Sequence, residues 1–174
     1  MAIREILLLG NPQLLEKSEL VGKSELEYAK SIGKDLRDTM TAFRKEHGWG
    51  RSIAAPQIGV MKEIVYMEFN QPELLINPTL SDFSEEKMEL WDDCMSFPDI
   101  LVKVKRHKTC RISYMDKDGK EISRIIDNAE AELLQHEIDH LHGILATMRA
   151  IDGSSFALQS QRHLLDQSEF ANQV

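Results

Sequence analysis

Residues 135–143 read Gln-His-Glu-Ile-Asp-His-Leu-His-Gly, and no other stretch of the chain constrains it as tightly. His136 and His140 are four residues apart, a spacing that stacks two side chains on one face of an α-helix. Two imidazoles so placed grip one divalent ion, and Glu137 beside them is set to act as general base toward a water there. With 6 histidines in 174 residues, random order would produce this pattern roughly 0.02 times per chain. A surface helix that happens to carry two histidines is the plainer alternative, and the count disfavours it.

The flanking pattern supplies a frame for that helix. Residues 1–24 read as an irregular arm. Ala29, Ile32, Leu36, Met40 and Phe43 recur at helical spacing, which predicts a helix from Glu25 to about Glu46 with Ser24 as N-cap and Gly48 and Gly50 ending it. Short β-like runs follow at Glu63–Phe69, Glu73–Ile76, Lys87–Asp92, Leu101–Lys105, Thr109–Met115 and Glu121–Ile126. The histidine helix is expected from Asn128 to Leu145, with Gly143 suiting its C-terminal cap, and a polar tail is expected to be helical from Ser154 to Asp166. Helices at both ends of a block of strands predict an α+β fold. Antiparallel or mixed strands would pack around the metal-binding helix, with the long N-terminal helix beside them.

Composition narrows the class. A hydrophobic content of 42% with 29% charged residues is that of a soluble globular protein. At this length residues 1–174 are expected to form one domain, with 152–174 as its polar tail. No apolar run reaches the length of a membrane span, and Ile6–Leu9 is too short for a signal peptide. The expected compartment is therefore the cytoplasm. Cys94 and Cys110 are too few for a disulfide scaffold. A net charge of −8 argues against a nucleic-acid partner, because phosphate neutralisation needs a basic face. The assembly state is left open.

Spacing alone leaves the third metal ligand unassigned. A metzincin-type extension needs a histidine where this chain has Ala146. A thermolysin-type site needs a downstream glutamate, and the only one is Glu169 in the tail. His142, two residues past His140, is turned away from the metal face.

A resemblance brings in a further candidate. Asp92-Asp93-Cys94-Met95-Ser96 resembles the Glu-Gly-Cys-Leu-Ser motif of peptide deformylases, and Gly50-Arg51-Ser52-Ile53-Ala54-Ala55-Pro56-Gln57-Ile58-Gly59 resembles their Gly-x-Gly-Leu-Ala-Ala-x-Gln-Ile-Gly motif. With His136–His140 these make the family's three motifs in family order, over about residues 5–150. The resemblance implies Cys94, His136 and His140 as metal ligands and Glu137 as general base. It implies Gln57 and the backbone N–H of Met95 as oxyanion donors. The implied metal is Fe²⁺, with Zn²⁺ or Ni²⁺ as stand-ins, and the implied reaction frees formate from an N-formyl peptide or nascent chain. Gly50, Arg51, Ser52, Asp93, Glu132 and Leu133 would line the substrate pocket. The alternatives are a divergent formamide or amide hydrolase with another substrate, and a non-catalytic metal-binding homologue.

Departures from the motifs fall around that pocket. Ser52 and Asp93 stand where the family has Gly, Asp92 where it has Glu, and Leu101 where an Arg often follows. Arg51 holds a position that is usually aliphatic, and Glu132 lies one turn before His136 on the metal face. Two readings stay open: both charges line the pocket for the first side chain, or they point outward or pair with each other.

Overall fold

The long helix forms where the apolar spacing puts it. In the computed structural model, which describes residues 2–170, α1 runs Leu26–His47 and buries Ala29, Ile32, Leu36, Met40 and Phe43. Gly48 closes it at φ 81°, its N–H donating to the Arg44 carbonyl, a left-handed conformation that glycine adopts without a Cβ penalty. The expected cap, Ser24, lies instead inside a 3-10 turn, Lys23–Glu25, and Glu25 takes the cap position. The cause is local. Glu25 accepts the Gly22 N–H at 2.7 Å and pairs with Lys62 at 3.0 Å, which tightens this turn before the helix begins.

Among the described residues eight strands follow: β1 (Ser52–Ala54), β2 (Ile64–Glu68), β3 (Pro72–Ser81), β4 (Lys87–Asp93), β5 (Ile100–His107), β6 (Thr109–Met115), β7 (Glu121–Asp127) and β8 (Phe156–Leu158). They form a five-stranded sheet, β1-β2-β3-β6-β7, and a three-stranded sheet, β4-β5-β8. Every pairing is antiparallel. β3 is longer than its apolar core suggested, continuing past a bulge between Ile76 and Thr79 where Asn77 takes φ 51°. The tail is not the expected helix. Phe156–Leu158 pairs with β5 as β8, and a 3-10 turn, Gln159–Leu164, follows. Residues 171–174 lie outside the described part.

Alternation along the strands divides the core. Ile64 and Tyr66 of β2 pack with α1, while Val65 and Met67 face the second helix, α2 (Asn128–Leu141). The five-stranded sheet is thus filled on both sides, each fully buried aliphatic side chain contributing about 1.5–3 kcal/mol. α2 also touches β5 of the smaller sheet, so it lies between the two. It ends four residues earlier than expected, because the His142 N–H turns back to the Asp139 carbonyl and Gly143 leaves the helix at φ 71°. Every residue from Ala131 to Leu141 is buried. That set includes Glu132, Gln135, His136, Glu137, Asp139 and His140, and polar groups so buried need partners.

Candidate metal centre

His136 and His140 project from successive turns of α2, and Cys94 follows β4 directly. The His140 Nε2 atom is 3.2 Å from His136 Nε2 and 3.3 Å from Cys94 Sγ. All three donor atoms lie within 4.8 Å of one another, on buried residues. An ion about 2.0–2.1 Å from nitrogen and about 2.3 Å from sulfur sets tetrahedral ligand atoms roughly 3.3–3.6 Å apart. The donor separations fit that geometry, and a thiolate with two imidazoles suits a soft divalent ion. Cys94, His136 and His140 could therefore hold one metal.

The partners behind the triad give it its orientation. His136 Nδ1 is 2.9 Å from the Asp92 carboxylate, so the ring donates there and turns its Nε2 lone pair toward the other two donors. Asp92 also accepts from Arg106 at 2.9 Å, and Arg106 bonds Asp139 at 2.9 Å. Burial works against an ionised Asp92, yet His136 and Arg106 together hold it well below the usual carboxylate range. Burial opposes charge on His136 as well, but Asp92 and Cys94 outweigh it and raise that ring. His140 is pushed well below its ordinary value by burial and by His136. Burial also pushes the Cys94 thiol up, opposed by His136.

Two further side chains are aimed at the triad. Glu137 accepts from the Ser52 hydroxyl at 2.6 Å through Oε1, while its buried Oε2 has no partner among the described residues. Gln57 is turned by the Ala54 N–H, which donates to its Oε1 at 2.9 Å. Its amide nitrogen then reaches Ser96 Oγ at 3.2 Å and Cys94 Sγ at 3.6 Å. The arm ties these pieces together, since the Leu7 N–H bonds the Gln57 carbonyl and the Leu9 N–H bonds that of Ser96, both at 2.8 Å. Gly50 sits at φ 126°, where an added Cβ would come within 2.8 Å of Met95 Cε.

A cavity of about 350 Å³ opens over this group. The expected pocket residues all reach it: Gly50, Arg51 and Ser52 from the start of β1, Asp93 and Met95 on either side of Cys94, and Glu132 and Leu133 from α2. Gln57, His136 and Glu137 line it too. Both charges left open by the sequence face the cavity, and they meet each other at 3.5 Å. Leu101 is fully buried in the register position opposite Asp93, and Arg162 of the tail comes within 3.4 Å of that carboxylate. The Asp92 carboxylate behind His136 is not among the site residues that the sequence motifs indicate. Its signal was present: Asp92 precedes Cys94 by two, and strand alternation puts such residues on one side.

Fold and site together define an α+β protein with a Cys/His/His group between the end of β4 and a buried helix. The chain belongs to the peptide deformylase family: the family described as polypeptide deformylase matches residues 3–155. Peptide deformylase 1 of Prochlorococcus marinus is 34% identical over 173 residues, covering 92% of this chain and 88% of that one. The peptide deformylase of Pseudothermotoga lettingae is 38% identical over 143 residues, covering 82% and 80%. Among solved structures, peptide deformylase from Thermotoga maritima superposes with a TM-score of 0.80 at 28% identity, over 87% of this chain and all of that one. A Met-Ala-Ser-bound peptide deformylase from Acinetobacter baumannii gives 0.78 at 25% identity, over 85% and 98%. The chain is a hydrolase of this family, and the family's reaction is removal of an N-formyl group.

Proposed function

We propose that this chain deformylates the N-terminus of peptides or nascent chains in the cavity described, using one divalent ion held by Cys94, His136 and His140. When bound there, the ion would lower the pKa of a water and polarise the formyl oxygen. Glu137 takes the proton from the attacking water and hands it to the departing amine. The Gln57 amide and the Met95 backbone N–H donate to the oxygen that gains charge, each worth about 2.7–4 kcal/mol in comparable sites. Hydrolysis of the formamide bond then leaves formate and a free amine. The observation that carries this reading is the convergence of a thiol sulfur and two imidazole nitrogens within 4.8 Å beside a buried carboxylate oxygen with no partner among the described residues.

Fe²⁺ is the proposed metal in the cell, with Zn²⁺ or Ni²⁺ able to replace it, in line with the donor set. Both cysteines are free and buried, which suits a reducing compartment, and we place the protein in the cytoplasm. No helix among the described residues is long and apolar enough to cross a membrane. A formylated peptide is the proposed partner, supported by the peptide seated in the Acinetobacter relative. Nucleic acid is not, given the net charge of −8. Residues 1–174 are read as one domain.

The test is formate release from a small panel of formyl peptides by the metal-loaded protein, with Glu137→Ala as control. The control should keep its metal while kcat falls roughly 10²–10⁴-fold. Near-normal turnover in that variant would overturn the assignment of the base.

A further inference from the structure

One turn before His136, α2 turns Glu132 into the cavity. A turn spans about 5.4 Å of helix axis, so a peptide reacting beside His136 and Glu137 extends a neighbouring side chain toward Glu132. The Glu132 side chain is 4% exposed, and the cation that reaches it, Arg51, stands 3.5 Å away. Charge-assisted contacts of this type close to about 2.7–2.9 Å.

Three other carboxylates on the cavity wall have closer partners, while Asp93 meets Arg162 at 3.4 Å. Glu68 holds both Arg44 and the Tyr66 hydroxyl at 2.7 Å. Asp92 is saturated by Arg106 and His136, and Glu137 by Ser52 at one oxygen. Burial correspondingly pushes Glu132 up to about 7, with Arg51 only partly opposing it. A thioether placed here would lie against a buried carboxyl and a guanidinium and return no hydrogen bond, which is costly. A donor head would supply the short contact that Glu132 lacks.

We propose that this pocket selects formyl peptides whose first side chain ends in a hydrogen-bond donor, an amide or an ammonium, over those with an apolar one. The selectivity rests on the hydrolase reading above, and Glu132 and Arg51 are its determinants. On the metal-loaded protein, kcat/KM for formyl-Lys-Ala-Ser and formyl-Gln-Ala-Ser should exceed that for formyl-Met-Ala-Ser by about tenfold. The pair Arg51→Ile with Glu132→Ile should invert that order.

Calorimetric binding of unformylated Lys-Ala-Ser and Met-Ala-Ser reads the same pocket without turnover, and the lysine peptide should bind about tenfold more tightly. Tighter binding of Lys-Ala-Ser with no formate from any peptide would uphold the pocket and overturn the hydrolase reading. Equal or tighter binding of Met-Ala-Ser, or faster turnover of formyl-Met-Ala-Ser by the unaltered protein, overturns the pocket assignment.

Discussion

The Ser52 hydroxyl donates to Glu137 Oε1 at 2.6 Å, and this bond leaves Oε2 of the same carboxylate unpartnered among the described residues. The family motif has glycine at this position, so the donor is a feature of this chain. One oxygen of the proposed base is anchored and the other is left available to the water. Removing the anchor lets the carboxylate rotate. Ser52→Ala should lower kcat about tenfold, the scale of one hydrogen bond to a charged group, with KM and metal content little changed. Ser52→Thr should recover most of the loss. Unchanged kcat in Ser52→Ala, measured by formate release, would show that the base needs no such anchor.

Asp92 serves two buried donors at once, the His136 ring at 2.9 Å and the Arg106 guanidinium at 2.9 Å. Asp92→Asn keeps an oxygen for the ring but withdraws the negative charge from both. Metal affinity should fall about 10–100-fold, as it does when a ligand histidine loses its carboxylate. The metal-free variant should also be less stable by about 3–5 kcal/mol, because Arg106 keeps only Asp139. Competition against a chelator reads the first effect and urea unfolding the second. Parent-like metal affinity would remove Asp92 from the site.

Local spacing carried much of this into the sequence. The α1 face and the His136–His140 pair are legible because a helix repeats within four residues, and the turn after Met115 marks the β6–β7 hairpin for the same reason. What escaped depends on distant partners. β1 has three residues, all buried, and exists only through its register with Val65–Met67. β8 is a strand because β5 presents Ile100–Val102 to it, where a helix from Ser154 to Asp166 is the expectation from sequence. Glu132 and Arg51 are legible as charges that either line the pocket or pair, and only the structure shows that they do both, meeting at 3.5 Å across 81 positions of chain. The site residues are nameable from the sequence, whereas most of the hydrogen bonds that orient them, such as Ser52 to Glu137 and Asp92 to His136, are not.

Cys110 offers a dependence on pH that is separate from the metal site. It lies in β6 opposite Ile126, and burial alone pushes its thiol up to about 11 from an ordinary value of 9.0. A group whose folded pKa is raised adds stability that is complete below the unfolded value and is lost as pH rises through the folded one. The window is therefore pH 9 to 11. Between pH 8 and pH 10.5 the parent should lose more stability than Cys110→Ala, on top of a constant packing difference between them. Urea midpoints that fall in parallel for the two proteins would contradict this.

Gly143 is where the metal helix meets the arm. It leaves α2 at φ 71°, and a Cβ built there would lie 2.4 Å from the Leu15 carbonyl oxygen and 2.6 Å from its carbon. Both obstacles are backbone, so no rotamer change relieves them. The arm is itself held nearby, because the Ser18 N–H bonds the Leu141 carbonyl at 2.8 Å. Gly143→Ala combines that clash with a left-handed residue, which by itself costs about 1–2 kcal/mol for a residue bearing a Cβ. A loss of about 2 kcal/mol lowers Tm by roughly 4–8 °C in a chain of this size. Because His140 is only three residues earlier, metal affinity should fall with it. Gly153→Ala is the matched control, with nothing within 4 Å of its added carbon, and its Tm should stay at the parent value. If calorimetry finds Gly143→Ala melting alongside that control, the arm yields without cost and does not brace the helix that carries the histidines.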